Sequence, residues 1–246
     1  MTAIASNDNA QPIVGRPMSI KRSGQGGSAK ENEGGRGTGA SGMTLSALAR
    51  ELSEAASRAA SGRWADRHSL GAHAIALRQQ ITGDGYFANK AAHDAEVPDS
   101  SDPDRLERSI VATAFVNGRG ANPFSGMTRD QLALIAYDDS GAFTVNERRA
   151  AWSEAQAQQQ VWKRAINARA LDEYNRTGKI VDVISEVLSH LESLPAIEQA
   201  QYPAAYLNGL RARLGGVDIR GGSCAPASLA ELLMRWDDSK TDEVST

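Results

Sequence analysis

The chain has 246 residues, of which 41% are hydrophobic but only 5% are aromatic, and its formal net charge is −3. This length suffices for one large or two small domains, and the scarcity of aromatic residues favours closely packed helices. The small net charge argues against a nucleic-acid partner, and no run approaches the roughly 18 apolar residues of a transmembrane helix. A single cysteine, Cys224, excludes an internal disulfide framework.

Residues 1–43 contain the run GQGGSAKENEGGRGTGASG and almost no apolar periodicity. Such a segment buries too little surface to offset its ordering entropy, so the sequence predicts a disordered arm. The arm lacks the apolar run of a cleavable signal peptide, which leaves a cytoplasmic protein or one secreted without such a signal. Its composition resembles the N-terminal signals of type III secreted effectors, and a plain flexible tail is the alternative.

Residues 44–120 are predicted to form an N-terminal helical region. Apolar residues three and four apart predict one helix that ends at Gly62 and a second at about 66–82. Asp102 and Pro103 predict the start of a third, because aspartate caps a helix and proline suits its first position. The segment between the second and third helices has no clear helical pattern.

Residues 121–216 are predicted to form a helical core, and their first part carries the clearest signals in the chain. Two capping-box patterns, TRDQ at 128–131 and TVNE at 144–147, predict two helix starts. The acidic sequence DDSG between them predicts a turn, because Gly141 can take the positive φ that closes it.

The second of these helices is predicted to be long. Residues 145–176 contain no glycine or proline, so they are compatible with one continuous helix of about 48 Å at roughly 1.5 Å per residue. A break near Gln156 to Gln160 is the alternative. The apolar residues predicted to face the core from this helix are Trp152, Ala155, Trp162, Ile166, Ala170 and Tyr174.

Helix, acidic glycine turn and helix is also the outline of an EF-hand, and residues 136–147 resemble its calcium loop. With Gly141 on the loop glycine, the resemblance implies calcium ligands at five positions: Asp138, Ser140, Ala142 through its carbonyl, Thr144 and Glu147. Ala136 stands where the motif has a ligating aspartate, so the loop supplies fewer than the roughly six to eight oxygens that calcium takes. A capping box without metal is the alternative explanation of its last two ligands.

Residues 173–184 resemble a second, equally degenerate loop. Glu173 takes its first position and Gly178 its glycine, but Ile184 replaces the bidentate glutamate. The two glycines are 37 residues apart, which is similar to the spacing of consecutive EF-hands. The pair implies a calcium-responsive protein, whereas a helix that simply ends at Gly178 needs no metal.

The C-terminal part is predicted to contain three more helices. A strong apolar stripe predicts one at 180–194, and Tyr202-Pro203 opens another that ends near Gly215. Residues 217–246 are predicted to be a linker, a final helix and an acidic tail. Cys224 lies just before that final helix, where the helix dipole lowers a thiol pKa, so a cysteine-dependent enzyme is one alternative function.

The sequence therefore predicts an all-α, multi-helix bundle with EF-hand-like helix–loop–helix units and a disordered N-terminal arm. Its leading functional interpretation is a non-enzymatic module that binds another protein, with or without delivery as a secreted or translocated bacterial effector. A calcium-responsive regulatory protein is the second interpretation. No phosphate loop, nucleophile elbow or dinucleotide fingerprint points to a particular enzyme.

Overall fold

The fold was analysed in a computed structural model, which describes residues 46–61 and 66–215. In these two ranges every regular element is a helix and no strand occurs, so the all-α prediction is confirmed. The elements in chain order are α1 (Ala47–Ala60), α2 (Arg67–Thr82), α3 (Asp84–Ala88), α4 (Lys90–Ala95), α5 (Pro103–Val116), α6 (Arg129–Ala136), α7 (Val145–Thr177), α8 (Val181–Ser193), α9 (Ala196–Gln199) and α10 (Ala204–Leu214).

Helix starts lie where the capping residues predict them. Asp102 caps α5, with Pro103 in its first position. Both capping boxes form, so that Thr128 caps α6 and Thr144 caps α7. In each box the threonine hydroxyl oxygen accepts a hydrogen bond from the backbone N–H of the third helical residue, and the threonine N–H donates to the side-chain oxygen of that same residue. Local sequence alone therefore fixes these boundaries.

The short helices α3, α4 and α9 were not predicted. They contain five, six and four residues, far fewer than the roughly 12 to 15 that an isolated helix needs in water. Their stability comes from packing on the longer helices: α3 contacts α2, α4 contacts α7, and α9 contacts α2. Periodicity within a sequence cannot report such contacts.

Helix α7 is the longest element and connects two parts of the core. It runs without a break for 33 residues and ends at Gly178, whose φ of 68° is left-handed. The sequence left open whether this segment is continuous or broken near Gln156 to Gln160, and the structure has the continuous helix. At about 1.5 Å per residue its ends lie about 50 Å apart. The two EF-hand-like loops are at these opposite ends, so they do not lie side by side as a pair.

The first half of α7 packs in a core cluster with α1, α5 and α6. Its fully buried members include Phe124, Leu132 and Ile135, with Ala150 and Ala151 contributed by α7. Alanines on α7 allow the neighbouring helices to approach closely, which explains how a core with few aromatic residues is filled. Helix α5, from the predicted N-terminal region, contacts α7 directly. The division of residues 44–216 at position 120 stays a prediction.

The second half of α7 packs in a separate cluster with α8 and α10. Ile166 and Ala170 face Val187, Leu191 and other apolar residues of these helices. Tyr174 was predicted to lie on the same buried face but is 38% exposed, because α8 begins beyond Gly178 and leaves that side of the last turn open. The other five predicted residues contribute to one of the two clusters.

A buried asparagine in the first turn of α7 joins three other helices. Its side chain is fully buried, and the Oδ1 of Asn146 accepts a hydrogen bond of 2.8 Å from the Tyr86 hydroxyl. Its Nδ2 donates to the His93 carbonyl, to Asp94 and to Thr113. One amide thus holds α3, α4 and α5 against the start of α7.

The next residue, Glu147, is also fully buried and carries a charge. One oxygen accepts hydrogen bonds from the backbone and hydroxyl of Thr144, and the other accepts from Arg108 at 2.7 Å. Arg108 also pairs with Glu51 of α1 at 2.9 Å. Burial opposes the charge of Arg108, but these two carboxylates hold its pKa above its usual value. The network therefore joins α1, α5 and α7 through ionised groups.

We expect Glu147→Gln to destabilise the protein by about 3 kcal/mol, because it leaves a buried guanidinium with one partner fewer. Glutamine in the third helical position keeps the capping box, so the change isolates the ion pair from the cap. Urea unfolding followed by circular dichroism measures the effect. The control is Glu107→Gln on the exposed side of α5, for which a change within about 0.5 kcal/mol is expected. Equal effects of the two substitutions would contradict a structural role for the ion pair.

The predicted arm at residues 1–43 and the linker, final helix and tail at residues 217–246 lie outside the described residues, as does Cys224.

Candidate functional site

The five residues implied as calcium ligands lie in the turn between α6 and α7 and in the first turn of α7. Gly141 has a φ of 83°, as the turn pattern predicts. Asp138 is buried at the end of α6, and its Oδ2 accepts a hydrogen bond of 2.6 Å from the Ser140 hydroxyl. Thr144 and Glu147 lie at the start of α7 in the capping box described above. The five residues thus belong to one short segment, residues 138–147.

Arginines already bind three of the ligand oxygens in this segment. Arg58 of α1 donates to Asp138 at 2.8 Å, and Arg105 of α5 donates to the Ala142 carbonyl at 2.9 Å. Glu147 pairs with Arg108, as shown above. The positive charge at these oxygens is therefore supplied by side chains of the chain itself.

The first residue of the second EF-hand-like loop acts as a cap for the following helix. Glu173 is buried, and its two carboxylate oxygens accept the backbone N–H groups of Asp182 and Val183, each at 2.9 Å. These N–H groups have no partner within α8 because they belong to its first turn. A carboxylate at this end is also favoured by the helix dipole. No local pattern in the sequence predicts this contact.

These oxygens do not fit a calcium ion as they are arranged, because binding would require two arginines to leave their carboxylates. Within residues 46–61 and 66–215 no group of three or more His, Cys, Asp or Glu side chains is placed to hold a metal ion. The resemblance of residues 136–147 to an EF-hand loop, and calcium binding at residues 138–147, stay sequence-based predictions.

The distal half of α7 exposes a regular stripe of side chains. All of its members are solvent-exposed and follow alternating steps of three and four residues: Ala157, Val161, Arg164, Ala168, Leu171 and Asn175. We call these six residues the α7 stripe. Val161 is 59% exposed and Leu171 is 63% exposed, and both belong to this one face. Such spacing is typical of a face that packs against another helix.

The opposite face of the same helical turns is buried within the protein. Ile166, Ala170 and Glu173 point to α8, and Trp162 flanks the same core cluster. The α7 stripe therefore belongs to a helix that is held rigidly from behind. A surface of this kind needs little reorganisation when a partner binds.

The charge around the α7 stripe differs in sign from that of the whole chain. Residues 157–179 contain five basic and two acidic residues, a net charge of +3, whereas the chain carries −3. One of the acids, Glu173, is buried in the cap of α8. Arg169 pairs with Glu186 of α8, while Arg164 and Arg176 are exposed. Asp172, beside Leu171, is also exposed, so the exposed charges here are of both signs with the basic ones in excess.

A second surface feature is a shallow, open depression of about 520 Å³ along α8. Its described lining consists of polar residues of this one helix: Asp182, Ser185, Glu186, Ser189, His190 and Ser193. The ring of His190 stacks on Trp162 with 3.8 Å between ring centres, and its Nε2 lies 3.2 Å from Gln159 Oε1. Burial, helped by the nearby charge of Arg129, lowers the pKa of His190 to about 4. His190 is therefore neutral near pH 7 and packs at the edge of the core.

No protein-family model matches the chain, and no curated protein or solved structure shows significant similarity to it. Among the described helices, none is both long and apolar enough to cross a membrane.

Calcium up to millimolar concentration should leave the tryptophan fluorescence, to which Trp152 of α7 contributes, and the thermal stability unchanged, because Asp138 and Glu147 already have arginine partners. A titration against a chelator-treated sample measures both. A saturable change that is lost in Glu147→Gln would instead show that calcium displaces the arginines.

The stability of the protein should decrease as the pH falls from about 6.5 towards 4, the window between the ordinary and the lowered pKa of His190. In this window the unfolded chain binds a proton at His190 and the folded chain does not, so acid favours unfolding. Melting temperatures at a series of pH values measure the slope. His190→Gln keeps a polar side chain beside Gln159 and should reduce the slope between pH values of about 6.5 and 5, above the main range of carboxylate titration. An unchanged slope would refute the contribution of His190.

Proposed function

We propose that this chain is a non-enzymatic helical module that binds another protein through the α7 stripe. The observation that carries the proposal is the exposure of Val161 and Leu171 on one regular face of a helix whose other face is buried. Soluble proteins expose scattered apolar residues, but a periodic set on a rigid helix is a feature of helix–helix recognition.

The composition of the stripe favours close packing with a partner helix. Ala157 and Ala168 are small enough to let a partner backbone approach, while Val161 and Leu171 supply apolar surface to bury. Full burial of two such side chains contributes roughly 1.5–3 kcal/mol each, before the entropic cost of association. The expected complex is therefore of moderate affinity, which suits a reversible interaction.

Other exposed apolar residues do not form a comparable series: Tyr174 is on α7 but outside the stripe, and the rest lie on or beside other helices. Ile110 on α5 is 68% exposed, and Phe87 and Val97 are exposed on α3 and after α4. They belong to different elements, whereas the α7 stripe lies on one helix. Ile110 thus provides a matched control for substitutions in the stripe.

Two other functional interpretations concern parts of the chain outside the described residues. A cysteine-dependent reaction would depend on Cys224, and delivery as a translocated effector would depend on residues 1–43. Delivery by such an arm is compatible with protein binding by the helical part.

The double substitution Val161→Ser and Leu171→Ser should abolish partner binding without loss of folding, because both residues are exposed. The measurement compares proteins crosslinked to the wild-type chain with those crosslinked to the double variant and to Ile110→Ser. A partner that binds the wild type and Ile110→Ser, but not the double variant, is the expected result. Equal capture by all three chains, or turnover of a substrate by the purified protein, would contradict the proposal.

A further inference from the structure

We infer that the α7 stripe recognises an acidic amphipathic helix of the partner protein. This inference rests on the proposed function and adds the chemistry of the partner. It follows from two independent properties of residues 157–179: the spacing of the exposed side chains and the sign of the charge around them.

The spacing indicates that the partner contributes a helix. Steps of four and three residues repeat from Ala157 to Asn175, which matches the 3.5-residue period of two helices that pack along their length. A strand or an irregular loop would contact alternate or isolated side chains, which do not match a repeat of 3.5 residues. The stripe covers about 28 Å of helix axis at roughly 1.5 Å per residue, which is long enough for five turns of a partner.

The charge indicates that the partner helix is acidic. Arg164 lies inside the stripe between Val161 and Leu171, and Arg176 lies beside its end. A partner carboxylate near each guanidinium would form a paired contact, whereas a basic side chain there would be repelled. An acidic helix with apolar residues on one face would therefore pair with the exposed arginines and also bury Val161 and Leu171.

The same charges disfavour a second copy of this chain as the occupant. Two α7 stripes packed together would place Arg164 of one copy in the same interface as Arg164 of the other, and each segment carries a net charge of +3. Like charges in a shared interface cost free energy, so self-association through this face is unfavourable.

A lipid surface is also a poor occupant. A helix that lies in the membrane interface buries a broad apolar face. The apolar face of distal α7, with Ile166 and Ala170, is already covered by α8. The exposed side offers only Val161 and Leu171 as large apolar residues of the stripe, with an arginine between them.

The test is a selection of helical peptides on the full-length protein. A displayed library of helices of about three heptads has leucine on one face, while the remaining positions vary among glutamate, lysine and glutamine. Peptides are selected on the wild-type chain and, in parallel, on the variant Arg164→Glu/Arg176→Glu and on the control Arg50→Glu. Arg50 is an exposed arginine of α1, so the control makes one such charge reversal away from the stripe.

The expected result is enrichment of glutamate at the variable positions on the wild type and on Arg50→Glu, and of lysine on the double variant. Selected acidic peptides should bind the wild type at least about tenfold more tightly than the double variant, and more weakly as salt is raised. Enrichment of lysine, or no charge preference, on the wild type would overturn the inference. So would peptides that bind the Val161→Ser/Leu171→Ser chain as well as the wild type.

Two further measurements distinguish the other occupants. Sedimentation of a dimer that is lost in Leu171→Ser would overturn the inference in favour of a second copy. Co-sedimentation with phosphatidylserine vesicles that requires Leu171 would overturn it in favour of a lipid surface. If crosslinked partners depend on Val161 and Leu171 but the peptides show no charge preference, the proposed function stands and only the acidic helix is wrong.

Discussion

The fold depends on one buried carboxylate, that of Glu147 in the first turn of α7. It closes the capping box that starts the helix, and it also binds Arg108, which is held by α1 through Glu51. A charge without solvent is stable only when its partners are fixed, so each member of this network constrains the position of the others. Asn146 extends the same constraint to α3 and α4 through uncharged hydrogen bonds. The start of α7 is therefore the point at which most of the N-terminal helices are positioned.

Because α7 is continuous, a constraint at its start also orients its distal half. The proximal turns share a core with α1, α5 and α6, and the distal turns share one with α8 and α10. Only in the distal turns is one side of the helix left without a neighbour from the described chain, and this is the side that carries the α7 stripe. The candidate interface is thus a consequence of helix length: α7 extends beyond the elements that cover its first half.

Local signals predicted the parts of the fold that depend on local chemistry. Capping residues predicted the starts of α5, α6 and α7, and Gly178 predicted the end of α7. Contacts between distant residues were not predictable in this way. The sequence near Asp138 does not predict that Arg58, eighty positions away, binds it. The exposed state of Tyr174 and of the α7 stripe likewise depends on where α8 lies, because a helical period shows which residues share a face and not whether that face is covered.

The cap that Glu173 places on α8 bears on how the protein folds. It joins residues nine and ten positions apart, and the nearby pairs Arg169–Glu186 and Arg211–Glu192 span 17 and 19 positions. The side-chain contacts that join α5 to the start of α7 are less local, since Arg108 and Glu147 are 39 positions apart. Closing a short loop costs less entropy than closing a long one, and local contacts form sooner. The α7–α8 hairpin is therefore expected to acquire protection from hydrogen exchange first, and to provide the nucleus against which the N-terminal helices assemble.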